Sequence, residues 1–164
     1  MTFEHPLWAN LFKIPTRQQA EIDLLWMQTP LFADIPRRYI RPITEALTLR
    51  HYEPGEFVFR AGEIGVGAAL IFKGRVSISA ADNRLASLTN GDLFGEVALA
   101  TDEPRTADAI AEESTDLIFF MKQDLDDLIK QNPAVATQFA MNLARMLAVR
   151  LRNANIAIQT TNTP

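Results

Sequence analysis

Between Thr48 and Met121 the chain is punctuated by Pro54-Gly55, Ala61-Gly62, Lys73-Gly74 and Asn90-Gly91, with Ala81-Asp82-Asn83 as a further short connection. Such dipeptides break regular structure, so no long helix fits this stretch. The runs they leave are short and rich in apolar and β-branched residues: Leu49–Tyr52, Glu56–Arg60, Ala68–Phe72, Arg75–Ser79, Leu85–Leu88, Ala107–Ala111 and Asp116–Met121. Strands at a spacing of roughly 8–12 residues predict a sandwich or jelly roll.

The flanks carry a different period. Thr16 and Gln19 have the form of a capping box, and Ala20, Leu24 and Met27 predict one helical face. Asp34 is the expected cap of a second helix with Pro36 in its first turn, and Pro42 predicts a kink or early break in it. After the strands, Gln123–Lys130 reads as a short helix with Asp124, Asp126 and Asp127 at its positive end. Asn132-Pro133 interrupts the chain. A long helix then starts near Ala134, with Ala136, Ala140, Leu143, Leu147, Leu151, Ala154 and Ile158 three or four residues apart. Its apolar residues are spread widely enough to predict two packing partners, the body of the domain and a second copy of the chain.

The 164 residues suffice for one domain with a core and a helical appendage. Cysteine is absent, which excludes disulfides and thiolate metal sites. Neither a signal peptide nor a membrane span is read, so a cytoplasmic protein is the expectation. From Asp92 to Asp127 there are 11 acids and 2 bases, Arg105 and Lys122, whereas from Pro133 onward there are three arginines and no acid. A net charge of −4 argues against general nucleic-acid binding. An acidic middle repels anions unless a local device overrides it.

Residues 91–110 supply such a device. Gly95 opens a turn whose amides can point at an anion, Glu96 is a lone carboxylate among apolar residues, and Arg105 is the only arginine in the acidic middle. Arg105 offers a planar fork suited to two phosphate oxygens. Glu96 needs a partner if buried, and a sugar hydroxyl is a good one. A loop-closing ion pair between Glu96 and Arg105 is the alternative. The two histidines, His5 and His51, are too few for a metal-binding cupin, and an acidic helix start explains Asp124, Asp126 and Asp127 better than a cation site does. No nucleophile or acid–base set stands out, so the chain is not read as an enzyme and no cofactor is expected. Trp8 and Trp26 are expected to pack the N-terminal helices; the arginines of the long helix are expected to be solvated, with a reach of Arg145 or Arg150 toward the site as the alternative.

Taken together, Phe94-Gly-Glu-Val-Ala-Leu99 followed by Pro104-Arg-Thr-Ala107 resembles the cyclic nucleotide-binding domain family, which includes the catabolite activator protein and the regulatory subunit of protein kinase A. Tyr52-Glu-Pro-Gly-Glu-Phe-Val-Phe-Arg60, Gly62-Glu-Ile-Gly65 and Phe72-Lys-Gly-Arg-Val76 extend the likeness over about residues 31–152. The resemblance implies a mainly β fold, a β-roll with N-terminal helices and a long C-terminal helix closing over the ligand. By position it implies that Glu96 accepts from a ribose 2′-hydroxyl and that Arg105 pairs with a cyclic phosphate. Amides around Gly95, Val97 and Ala98, with Thr106, would complete the cradle. Val76, Ile78 and Leu85 would wall the base, with Arg145 from the lid. cAMP is favoured over cGMP; a threonine at position 106 is compatible with both.

Three departures from the family pattern stand out. Val66 follows Gly65 and Ala69 holds an aromatic's place, Lys122 stands where a Ser or Thr cap is common, and Asp108 replaces a frequent Thr or Ser. Asp108 is expected to point outward, because Ala107 and Ala109 fit the buried face. The domain limits read as 1–30 for a helical extension, 31–155 for the nucleotide-binding domain and 156–164 for a tail. Only 12 residues follow Arg152, too few for a DNA-binding helix-turn-helix. The expectation is therefore a stand-alone sensor that dimerises through its last helix and acts through a separate protein, without direct DNA or membrane binding. A scaffold whose pocket is filled by its own side chains is the alternative.

Overall fold

A computed structural model describes residues 16–81 and 83–161. Thr16–Gln28 forms α1, a 3₁₀ turn follows at Pro30–Phe32, and Arg37–Thr44 forms α2. Eight strands come next: β1 (Thr48–Tyr52), β2 (Phe57–Phe59), β3 (Gly67–Lys73), β4 (Arg75–Ala80), β5 (Asn83–Thr89), β6 (Leu93–Phe94), β7 (Asp108–Ala111) and β8 (Thr115–Met121). A second 3₁₀ turn, Glu96–Leu99, lies between β6 and β7. The chain ends in α3 (Lys122–Gln131) and α4 (Pro133–Thr161).

The strands form two antiparallel sheets, ordered β1-β8-β3-β6 and β2-β7-β4-β5. This is the expected mainly β roll with flanking helices. β3 explains how the layers stack. Its run Gly-Ala-Ala-Leu-Ile is buried throughout, and successive side chains point to opposite faces. Ala68 and Leu70 join the core shared with the helices, while Ala69 and Ile71 join the core between the sheets. β8 divides likewise, with Ile118 and Phe120 toward the helices and Leu117 and Phe119 inside the roll. A strand buried on both faces reads as an unbroken apolar run.

The helical core centres on aromatic edges: Trp26 meets Phe32 at 5.6 Å between ring centroids, and Phe120 stacks on Phe139 of α4 at 5.1 Å. Trp26 thus packs as expected, whereas Trp8 and the Thr16 side chain lie outside the described residues. The buried face of α1 differs from the expected one. Ile22 and Trp26, one turn apart, are buried, and Leu24 is exposed. Asp34 does not cap α2. Its φ is +62°, and Pro36 occupies the cap position without a side-chain bond. Pro42 stays inside α2, which ends two residues later. α4 runs through residue 155 without a break.

α4 is pinned to the N-terminal helices by Asn142. This buried amide donates to the carbonyls of Leu31 (3.0 Å) and Ala33 (2.7 Å). Beyond Leu147, every side chain of α4 described as far as residue 159 is exposed. No helix among the described residues is long and apolar enough to cross a membrane.

Candidate ligand-binding site

β6 delivers the chain to Gly95, which adopts φ +72°. A left-handed residue here turns the chain sharply into the 3₁₀ turn at Glu96–Leu99. The first amides of such a turn have no acceptor within it. The amide of Ala98 is already engaged, donating to the Gly95 carbonyl at 3.2 Å. Glu96 is 4% exposed, whereas Val97 and Thr106 face solvent.

Arg105 comes to the same point from the far side of the loop. Its backbone amide donates to Glu63 and its carbonyl accepts from Gly62, at 2.7 and 2.8 Å. The side chain then turns inward. One Nη donates to the Gly95 carbonyl and the other to the Gly67 carbonyl, both at 2.8 Å. The guanidinium lies over the Phe59 ring, 4.1 Å from its centroid, a cation–π contact that supports a half-buried charge. Burial lowers its pKa from the ordinary value, against the pull of Glu96 and Glu63. Arginine remains a cation at neutral pH even so.

Glycines make room for this cation. A Cβ on Gly95 would sit 2.9 Å from an Arg105 Nη. One on Gly65 would sit 2.6 Å from the Ala98 Cβ and 3.0 Å from the Arg105 guanidinium carbon. The glycines at 65 and 95 therefore serve the arginine directly.

Glu96 and Arg105 do not form the loop-closing ion pair that was the alternative. Glu96 is instead met by Arg150 of α4, whose Nη1 lies 2.6 Å from Oε2, while Nη2 donates to the Leu93 carbonyl at 2.5 Å. The approach to Oε2 is close enough for an ion pair but off the line that a hydrogen bond needs. Among the described residues, three buried side-chain polar atoms have no hydrogen-bond partner, and two of them belong to this site: Glu96 Oε2 and Arg105 Nε. Buried polar groups are normally paired; Glu96 Oε2 has Arg150 beside it, and Arg105 Nε has no hydrogen-bond acceptor on the described residues.

The expected wall is only partly assembled. Val76 is buried and Ile78 packs beside it in the core between the sheets. Leu85 is 61% exposed. In the β4–β5 ladder Ile78 pairs with Ala86 and Ser79 with Arg84, so Leu85 is the extra residue of a bulge. Leu88, on the inward parity, packs with Val76 and Ile78 instead. Arg145 also departs from expectation, since its guanidinium donates to Asn142 at 3.2 Å on its own helix. Arg150, five residues later on the same helix, is the arginine that reaches the site. Phe59 and Gly67 were not read as site residues, because their roles depend on strand pairing that brings them under Arg105.

Asp108 points away, accepting from the Ala61 amide at 2.7 Å, as its neighbours suggested. Lys122 forms an ion pair with Asp102, and its amide donates to Val66 at 2.8 Å, joining the start of α3 to the loops around the site. Asp124 accepts from the Met121 amide at 2.6 Å, which makes it a helix cap. Among the described residues no three His, Cys, Asp or Glu side chains are grouped to hold a metal.

Comparison with known proteins agrees with this geometry. The cyclic nucleotide-binding domain family matches residues 49–132. The chain belongs to that family. It is 32% identical over 135 residues to the cyclic AMP receptor protein of Thermus thermophilus, covering 79% of this chain and 61% of that protein. It is 27% identical over 125 residues to a cGMP-dependent protein kinase of Toxoplasma gondii, covering 76% of this chain and 13% of the kinase. The crystal structure of the Thermus thermophilus catabolite activator protein superposes with a TM-score of 0.71 at 30% identity, over 81% of this chain and 63% of that one. A cyclic nucleotide-binding domain from Methylobacillus flagellatus superposes with a TM-score of 0.78 at 20% identity, covering 90% of this chain and 86% of that one, and supports the fold alone. The chain thus spans less than two thirds of the receptor protein it matches.

Proposed function

We propose that this cyclic nucleotide-binding domain is a sensor that binds a cyclic mononucleotide, cAMP in preference to cGMP, and passes the signal to a separate protein. The observation that carries the reading is the joint burial of Glu96 and Arg105 around the left-handed turn at Gly95. Glu96 reads the ribose hydroxyl. Arg105 and the amides at Gly95 and Val97, with Thr106 at the rim, hold the phosphate. Arg105 Nε is a ready donor for a phosphate oxygen. The preference for cAMP draws support from the cyclic AMP receptor protein, the more similar of the two relatives.

The role is regulatory rather than catalytic, and the setting is the cytoplasm. The chain works as a homodimer through α4, where Met141, Val149, Leu151 and Ile158 are exposed apolar residues. Exposed apolar rows of this kind are the usual material of a helix–helix interface. The output goes through a protein effector.

A second reading has one observation in its favour. Arg150 occupies Glu96, and both Arg105 Nη atoms are engaged by carbonyls, as in a scaffold whose pocket is filled by its own side chains. Thermal unfolding with cAMP and with cGMP separates the two. A ligand at 100 times its dissociation constant adds about 2.7 kcal/mol. A shift that disappears in Arg105→Ala, measured against that variant's own melting transition, supports the sensor. No shift with either nucleotide at millimolar concentration leaves the scaffold.

A further inference from the structure

A groove of about 350 Å³ opens between α2 and α3. Pro42, Ile43 and Ala46 line one side, and Asp124, Asp127 and Leu128 line the other. Leu128 is buried and Ile43 half-buried, whereas Pro42 and Ala46 are exposed. A cleft of this size takes most of a drug-sized molecule, so a large aromatic side chain and a neighbour fit it. Its lining is apolar along α2 and carries two carboxylates on the α3 side. None of the residues assigned to the nucleotide takes part.

Residues 1–15 precede α1 and hold eight apolar side chains, among them Phe3, Trp8 and Phe12. Aromatic surface at this density is costly to leave in water. Lys13 is the only lysine or arginine of the fifteen, and it complements the two carboxylates of the groove. The tether is long enough. The Thr44 hydroxyl donates to Asp23 of α1, and Ala46 is two residues past Thr44. Thr16 stands seven residues before Asp23 on the same helix, a rise of about 10 Å. The start of α1 is therefore no more than about 25 Å from Ala46, and the eight residues from Trp8 to Thr16 span up to about 27 Å.

We propose that the N-terminal segment of this same chain, around Trp8 to Lys13, is the occupant of the α2–α3 groove. Trp8 fills the apolar side formed by Ile43, Ala46 and Leu128, and Lys13 pairs with the carboxylates of α3. A short flexible tether presents the segment to the groove at a millimolar effective concentration, so a modest contact suffices to hold it. A separate partner would have to displace it.

Tryptophan fluorescence of the intact chain tests the docking. The chain has two tryptophans, and Trp26 is fully buried, so the difference between wild type and Trp8→Phe isolates the Trp8 signal. Acrylamide should quench Trp8 several-fold less steeply than it quenches a free tryptophan derivative. Ala46→Arg and Pro42→Arg each place a long charged side chain in the groove from an exposed position, and each should raise Trp8 quenching toward the free value. The Trp26 signal of the same variants, read in the Trp8→Phe background, should stay shielded and so confirms their fold. Quenching of Trp8 in wild type as steep as that of the free derivative overturns the proposal. Shielding of Trp8 that survives both groove variants overturns the groove as its place. Shielding lost on dilution to nanomolar protein overturns docking within one chain and assigns the segment to a second copy.

Discussion

Arg105 donates to the carbonyl of Gly95, ten residues earlier, across a turn whose φ of +72° only glycine adopts readily. The cation and the turn hold each other in place. A Cβ on Gly95 would meet the guanidinium at 2.9 Å and would also carry the left-handed penalty. Gly95→Ala is therefore expected to cost about 1–3 kcal/mol of stability, read as a lower midpoint in urea. Nucleotide binding should fall further than the stability loss explains, because Arg105 is displaced. A Gly95→Ala protein with wild-type affinity would refute the coupling.

Phe59 supports the same cation from below, 4.1 Å from its guanidinium carbon. Phe59→Leu keeps an apolar residue between the sheets and removes the ring face. Such contacts are worth about 0.5–2 kcal/mol, so a loss of that order in thermal or urea unfolding is expected, with a weaker phosphate grip. If Arg105→Ala and the double variant with Phe59→Leu are equally stable, while Phe59→Leu alone is not neutral, the cost runs through Arg105. Additive losses would assign it to core packing instead.

His51 and Asp116 face each other across the β1–β8 ladder, with Nδ1 2.7 Å from the carboxylate. The Asp116 hydrogen bond, aided by Glu53, raises the His51 pKa above 6.5. A histidine raised in the folded state binds its proton more tightly there than in the unfolded chain. Its contribution is complete below about 6.5 and is lost as pH rises through the folded value. The pair is exposed, so the effect on the melting temperature is small. Its sign is definite: wild type should lose a small increment of thermal stability on passing upward through that range, and His51→Gln should not. A difference of opposite sign would exclude the pairing.

The roll was legible because glycine-containing turns set the limits of nearly every strand. β6 was missed since two residues, Leu93 and Phe94, carry no alternation to read. Glu96 and Arg105 could be found from their glycine context, which is local in sequence. What escaped was set by tertiary placement. Leu85 lost its inward parity to a bulge, Ile22 and Trp26 took the buried face of α1 because the 3₁₀ turn and β8 approach that side, and Phe59 and Gly67 meet Arg105 only through sheet pairing. Arg150 carried one signal, a cation on a helix segment without acids. Nothing in the sequence said that it, rather than Arg145, would face Glu96.

Asn142 decides how firmly the first half of α4 is seated. Its amide nitrogen donates to the carbonyls of Leu31 and Ala33, and its oxygen accepts from Gln138 at 3.0 Å and from Arg145 at 3.2 Å. Replacing it with leucine fills similar space and leaves two carbonyls without their donor. An unsatisfied buried polar group costs about 1–3 kcal/mol, so Asn142→Leu should lower the urea midpoint with little change in slope. Asn142→Asp should cost more, because a carboxylate would face the two carbonyl oxygens with no proton to offer at neutral pH. Its deficit should shrink as the solution is acidified toward the point where the carboxyl gains a proton. Equal stability of the leucine and aspartate variants across that range would show that Asn142 serves packing and not the tie to residues 31 and 33.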